Sequence, residues 1–225
     1  MLSDPRIYRY TGLQPYPYAT VRDDQECAKK YKRSKRTILL ASYDSYETAK
    51  SLAGKPNVKS FFVIRDPRTM LVSWYYSTRF THRPTTGVDE HRYAMQNMSD
   101  RDAFIYCSDA FIKEFAPILD SWAQHANNLP IVHFEDLTGV NSSLIWTNLF
   151  AELGYAVPQE TIQKVLKTYS IENLAPNPHA RNVDDKYAAK GKREWPTFLS
   201  GSDTSSIYQQ LETWIQAFGY TTQHA

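Results

Sequence analysis

The run Val58-Lys-Ser-Phe-Phe-Val-Ile64-Arg65-Asp66-Pro67-Arg68 constrains the fold more than any other part of the chain. Its first seven residues are rich in β-branched and aromatic side chains and have the length of a buried strand. Asp66 is a good helix N-cap and Pro67 is pre-set for the first helical position. The spacing therefore predicts a helix over 68–78 that springs directly from the strand's C-terminal end. Upstream, Thr37-Ile-Leu-Leu-Ala-Ser42 is a second short apolar run. Between the two runs, Asp44 and Glu47 mark a helix start and Gly54 a helix end. Strand, crossover helix and strand make a βαβ unit, so the two strands are expected to lie parallel. Phosphates favour the exit of such a strand, where free backbone N–H groups and the helix dipole converge.

The remaining pattern is mostly helical. Ser99-x-x-Asp102 resembles a capping box and opens a long helix that carries Phe104, Phe111, Phe115, Ile118, Leu119 and Trp122 near one face. Pro117 is expected to kink or split it. Pro130-Ile-Val-His-Phe134 reads as a third strand, with His133 a satisfied core histidine. Helices are predicted at 142–153, at 159–169 and at 203–218, the last with Ile207, Leu211, Trp214, Ile215 and Phe218 on one face and Gly219 as its stop. Residues 171–200 lack a clear period and read as a long functional loop. Residues 1–36 are polar, rich in tyrosine and weakly periodic, and end in a basic run over 29–36 that reads as a solvated face or loop. The simplest account is one α/β domain over 1–225.

Composition narrows the class of function. With 42% apolar and 22% charged residues the chain is an ordinary folded protein. A net charge of +2 gives no argument for nucleic acid. Cys27 and Cys107, the only cysteines, fit no metal or redox spacing and suit a reduced, cytoplasmic setting. The first residues hold no apolar signal core and no stretch approaches a membrane span, so a soluble protein is expected.

The chemistry centres on Arg65 and Ser73. A cation that closes a buried strand needs an anionic partner or solvent. Ser73, two turns into the following helix, can return toward the strand end. Together they offer a guanidinium fork and a hydroxyl to a phosphate. The other reading pairs Arg65 with Asp66 or another carboxylate as a structural ion pair, and the pattern alone leaves both open.

The segment Ile64-Arg65-Asp66-Pro67-Arg68 through Val72-Ser73-Trp74-Tyr75-Tyr76 resembles the 3′-phosphate-binding segment of the sulfotransferases that use 3′-phosphoadenosine-5′-phosphosulfate, PAPS. Ile131-Val-His-Phe134-Glu135-Asp136-Leu137 is similar to that family's aromatic-Glu-Asp-Leu strand end. Ala189-Lys190-Gly191-Lys192-Arg193-Glu194-Trp195-Pro-Thr-Phe198 resembles its Arg-Lys-Gly…Trp…Phe element, with Ala189 in place of the Arg and one residue fewer before Trp195. Tyr169-Ser170-Ile171 resembles the Ser-Phe segment beside the nucleotide, with Ile171 where an aromatic often stands. The order and spacing agree from about Ile38 onward. The resemblance implies a three-layer α/β fold with a central parallel sheet, like that of P-loop nucleotide-binding proteins. It further implies PAPS as donor, PAP as the spent nucleotide and no metal. Arg65 and Ser73, with Lys190, Gly191, Lys192 and Arg193, would hold the 3′-phosphate. The implied reaction is sulfuryl transfer to a hydroxyl on a small-molecule or carbohydrate acceptor.

The family's N-terminal strand and Gly-rich loop for the 5′-phosphosulfate have no counterpart in residues 1–36, so that loop is shortened, replaced or lost. A catalytically inactive nucleotide-binding or structural relative is therefore the alternative. The family's His or Glu base precedes the Arg-Asp-Pro-Arg segment, where this chain has no histidine. The candidates are Asp44 and Glu47, which read first as helix-cap residues, and His82 or His91, expected in a loop over 78–91 that lines the acceptor pocket. Of these His82 is the catalytic candidate.

Overall fold

The Asp-Pro helix start is used twice in the chain. The computed structural model describes residues 4–15, 37–38, 45–53, 59, 61–126, 130–170, 173 and 195–221. At Asp66-Pro67 it opens the helix anticipated from the sequence. At Asp4-Pro5 it opens α1 (Pro5–Thr11), inside a segment whose weak period hides a helix. The two caps share their geometry: Asp4 accepts the Arg6 N–H at 2.8 Å and Asp66 the Arg68 N–H at 2.9 Å. Gly12, at φ 62°, ends α1 in the left-handed conformation and donates its N–H to the Tyr8 carbonyl.

Contacts divide the chain into two units, Met1–Val63 with Asn127–Asn173 and Ile64–Ala126 with Leu174–Ala225. In the first unit, β1 (Gln14–Pro15) pairs in parallel with β2 (Thr37–Ile38), Gln14 opposite Thr37. The helix expected before Gly54 is α2 (Tyr46–Ala53). Asp44 and Gly54, its proposed cap and stop, lie outside the described residues, and Glu47 sits in its first turn. β3 (Phe62–Ile64) hydrogen-bonds with β4 (Ile131–His133), and Phe62 donates its N–H to the Pro130 carbonyl. Among the described residues the 37–42 run pairs through β2 with β1, and the 58–64 run through β3 with β4. A crossover connection permits this, because consecutive strands of a sheet need not be neighbours.

Beyond β4 the chain turns at once into α6, Phe134–Thr138, so Phe134 starts a helix instead of ending a strand. His133 is only half-buried, with 34% of its side chain exposed, and lies 3.7 Å from Asp136 one turn on. It is not a core histidine. Helices α7 (Ser142–Glu152) and α8 (Gln159–Thr168) follow where they are expected. Ile7 of α1 is wholly buried with Phe150, Val157, Ile162 and Val165, and Trp146, Tyr155 and Leu166 close around them. Burying one such aliphatic side chain is worth about 1.5–3 kcal/mol. The Arg6 guanidinium ties the same helix to α8 through the Thr168 hydroxyl at 3.0 Å and the Lys164 carbonyl at 3.3 Å.

The second unit is helical. α3 (Pro67–Tyr76) buries Leu71, Val72 and Tyr75, and a π-helical turn over Ser77–Thr81 follows it without a break. His82 closes that turn by donating its N–H to the Ser77 carbonyl five residues back. The loop expected over 78–91 is instead this turn, a short link and α4 (Thr86–Met95). The apolar pattern failed there because the residue α4 buries beside Met95 is the charged Arg92. Its guanidinium is satisfied by the carbonyls of Thr78 and His82 and by Asp89. α5 (Asp100–Ala123) starts on the Ser99–Asp102 cap and passes through Pro117 as one helix. α9 (Gly201–Ala217) buries Ile207, Leu211, Trp214 and Ile215, and Gly219 (φ 76°) follows its end as anticipated. It begins two residues earlier than expected because Ser200 and Asp203 form a reciprocal capping box. Trp214 donates its indole N–H to Asp120 of α5 at 2.6 Å.

Among the described residues helices dominate and the strands are short, joined in two-stranded sheets. The α/β class stands in that coarser form, and three layers about one central sheet are not seen among them. No helix among them is long and apolar enough to cross a membrane.

Candidate functional site

Arg65 leaves β3 directly after the buried Ile64 and is half-buried. Ile64 itself is fixed by Tyr220, whose hydroxyl donates to the Ile64 carbonyl at 3.4 Å. The next residue, Asp66, is committed to Arg68. Its carboxylate accepts the Arg68 backbone N–H and forms an ion pair with the Arg68 guanidinium at 2.6 Å. The Asp66 carboxylate thereby occupies the start of α3, and Pro67 has no N–H to give. The Arg68 N–H at this strand exit is therefore already taken.

Ser73 lies about 10 Å along the axis of α3 from Asp66, two turns on. It is half-buried, and its hydroxyl has no hydrogen-bond partner among the described residues. Hydrogen bonding to Asp66 keeps the Arg68 guanidinium more firmly protonated than an ordinary arginine. The same guanidinium lies over the Tyr208 ring of α9, 5.7 Å from its centroid. Burial pushes the Tyr208 phenol above its ordinary range.

Tyr208 is also where the long loop returns. Trp195 packs edge-on against Tyr208 at 4.7 Å and against Phe104 at 5.5 Å, and its indole N–H is donated to Thr204 Oγ1 at 3.2 Å. Phe198 rests against Phe104 and Tyr75. Trp195, read as part of the basic element, thus sets its outgoing end against Tyr208, the ring that Arg68 also overlies. Lys190, Gly191, Lys192 and Arg193 themselves lie outside the described residues, as does Ile171.

The histidines differ in what holds them. His82 follows the π-helical turn on its half-exposed edge, with Nδ1 2.7 Å from the Arg83 carbonyl. His91, on α4, has both ring nitrogens engaged: Nδ1 with the Tyr106 hydroxyl at 3.0 Å and Nε2 with Glu114 at 2.5 Å. Trp74, the residue after Ser73, meets the His91 ring edge-on at 5.3 Å. Sequence reasoning missed Tyr208, Tyr106 and Glu114. Tyr106 and Glu114 stand eight residues apart on α5, a spacing that puts two side chains on one helix face. Among the described residues no cluster of His, Cys, Asp and Glu has the makings of a metal site. Burial drives the Cys107 thiol far above the ordinary cysteine range.

Comparison with known proteins bears on the fold and the family. The chain superposes on the crystal structure of mouse sulfotransferase SULT7A1 complexed with PAP with a TM-score of 0.63, over 91% of this chain and 74% of that one, at 13% identity. No curated protein matches it. The family model for the sulfotransferase domain matches residues 6–215. With nearly its whole length matched, the chain belongs to the sulfotransferase domain family.

Proposed function

We propose that this protein transfers a sulfuryl group from PAPS to a hydroxyl-bearing acceptor. In this reading Arg65 and Ser73 hold the donor's 3′-phosphate, and Lys190, Gly191, Lys192 and Arg193 close over it. The observation that carries it is the Arg68–Tyr208 stack beside the strand exit that bears Arg65, with Trp195 packed on the same Tyr208 ring. Five residues of chain reach at most about 18 Å, which is the limit on how far Lys190 can lie from Trp195. Glycine at 191 lets backbone approach an anion closely, and the flanking cations supply charge. The PAP named in the related crystal structure is the product such a donor leaves behind. The hydroxyl of Ser73, unpartnered among the described residues, fits an acceptor or donor role toward a phosphate oxygen. A three-layer sheet and a cytoplasmic location complete the reading.

The chemistry asked of the protein is positioning and charge. Cations at the strand end fix the nucleotide by its 3′-phosphate, and the transfer itself calls for positive charge facing the departing 5′-phosphate. The acceptor oxygen attacks sulfur in line with the leaving group and must lose its proton in the process.

Calorimetric titration with 3′,5′-adenosine bisphosphate tests the donor site. Binding on the order of micromolar by the wild type, lost in Arg65→Ala, is expected; equal binding by Arg65→Ala would sink the assignment. One observation favours a second reading, a nucleotide-binding relative without turnover. Residues 16–36, between β1 and β2, contain no glycine with which to build a phosphate loop. Binding of the bisphosphate without transfer from labelled PAPS to any acceptor would select it.

A further inference from the structure

We propose that Glu114, His91 and Tyr106 form the proton-accepting relay of the acceptor site, an inference that rests on the sulfuryl-transfer reading above. His91 projects from α4, while Tyr106 and Glu114 share one face of α5. The ring nitrogens fix the order of the relay. A carboxylate only accepts hydrogen bonds, so Glu114 at 2.5 Å requires the proton of the neutral imidazole on Nε2. Nδ1 then carries the lone pair, and the Tyr106 hydroxyl at 3.0 Å donates to it. Carboxylate, imidazole and hydroxyl in that order are the arrangement that activates a hydroxyl for proton transfer.

The surroundings suit the role. Tyr106 has no other hydrogen-bond partner among the described residues, which leaves its oxygen a lone pair for an incoming hydroxyl. Burial raises the phenol's affinity for its proton, which makes it a carrier and not a standing phenolate. Trp74 braces the imidazole edge-on and is itself packed against Phe111 and Phe115 at 5.8 and 5.9 Å. The relay is thus held against α3, the helix that bears Ser73. The His91 side chain is 19% exposed and that of Glu114 46%, so the charge-bearing end opens to solvent. A simple ion-pair tie between α4 and α5 would need Glu114 alone; the phenol adds a path for the proton. His82 has a carbonyl, not a carboxylate, on its ring nitrogen and lacks this backing.

The step balances. The acceptor's O–H gives its proton to Tyr106 Oη while the phenol's own proton passes to His91 Nδ1. The acceptor oxygen forms its bond to sulfur, and the bond from sulfur to the 5′-phosphate oxygen breaks with its electron pair on the phosphate. The products are the sulfate ester, adenosine bisphosphate and an imidazolium beside Glu114, which later returns its proton to water.

The test uses labelled PAPS and two probe acceptors at about pH 8: 2-naphthol, a phenol that keeps its proton much as a tyrosine does, and 4-nitrophenol, already largely ionised. Tyr106→Phe and His91→Ala should lower kcat for 2-naphthol by about 100-fold, a typical loss for a general base. They should leave 4-nitrophenol and bisphosphate binding within about twofold, because an ionised acceptor needs no base. Millimolar imidazole should partly restore His91→Ala. Glu114→Gln, a positioning change, should lower kcat for 2-naphthol without altering its KM. Equal losses on both acceptors, or none, overturn the relay. So does a wild type that binds the bisphosphate yet transfers to neither phenol, which leaves the donor site standing. A wild type that fails to bind the bisphosphate removes the donor site, and the relay with it.

Discussion

The Asp66 carboxylate takes both the backbone N–H and the guanidinium of Arg68, at 2.9 and 2.6 Å. One side chain therefore starts α3 and sets the charge beside the strand exit. Asp66→Ala should cost about 1–2 kcal/mol of stability in urea unfolding, the usual worth of an N-cap. Asp66→Asn retains an oxygen for the cap and should cost less. Equal losses in the two variants would place the stabilisation in the ion pair instead.

Trp195 joins the basic loop to α9 through Thr204 and Tyr208. Trp195→Ala should weaken binding of 3′,5′-adenosine bisphosphate about tenfold, equivalent to about 1.4 kcal/mol. Trp195→Phe keeps a ring against Phe104 and should lose less. Calorimetry on both variants checks the order.

Acid should loosen the protein at two separate points. Hydrogen bonds from the Arg6 side chain hold Asp4 down at about 2, and those from Arg101, then Ser200, do the same for Asp203. Both folded-state values lie below the ordinary 3.8. The stability these carboxylates lend is therefore complete above about pH 4 and lost as pH falls toward about 2. Asp203→Asn should show a shallower loss of helical circular dichroism across that window than the wild type.

Ile7 is wholly buried among α7 and α8 residues. Ile7→Ala should destabilise by about 2–5 kcal/mol in denaturant unfolding, the range for truncating a core aliphatic side chain. A loss under about 0.5 kcal/mol, the scale of a surface change, would mean that α1 is not part of this core.

Where local chemistry decides structure, the sequence was readable. Asp66-Pro67, Ser99 with Asp102, and the apolar stripe from Ile207 to Phe218 each specify their element through a cap or a single face. Asp4-Pro5 carried the same signal as Asp66-Pro67 and was obscured by the polar residues around it. α4 was hidden for a different reason: its buried anchor is Arg92, satisfied by two carbonyls that only the fold brings near. Strand pairing was the least legible feature, because it is settled by partners far along the chain, as when Phe62 meets Pro130. In the candidate site, Arg65 and Ser73 were visible as a motif. Tyr208, Tyr106 and Glu114 were not, because single side chains on helices announce a role only once their neighbours are in place.

The division of the chain has a consequence for how the protein is made. The contact units change at Val63–Ile64, at Ala126–Asn127 and again at Asn173–Leu174, so each is assembled from separated stretches. As the chain leaves the ribosome, α1 emerges well before α8, and Arg6 has no Thr168 to hold until the intervening chain, 162 residues on, has followed. The last stretch of the first unit is made before α9 of the second, so the first can close earlier. Newly made α1 must therefore wait with Ile7 exposed until Phe150, Ile162 and Val165 have followed to cover it.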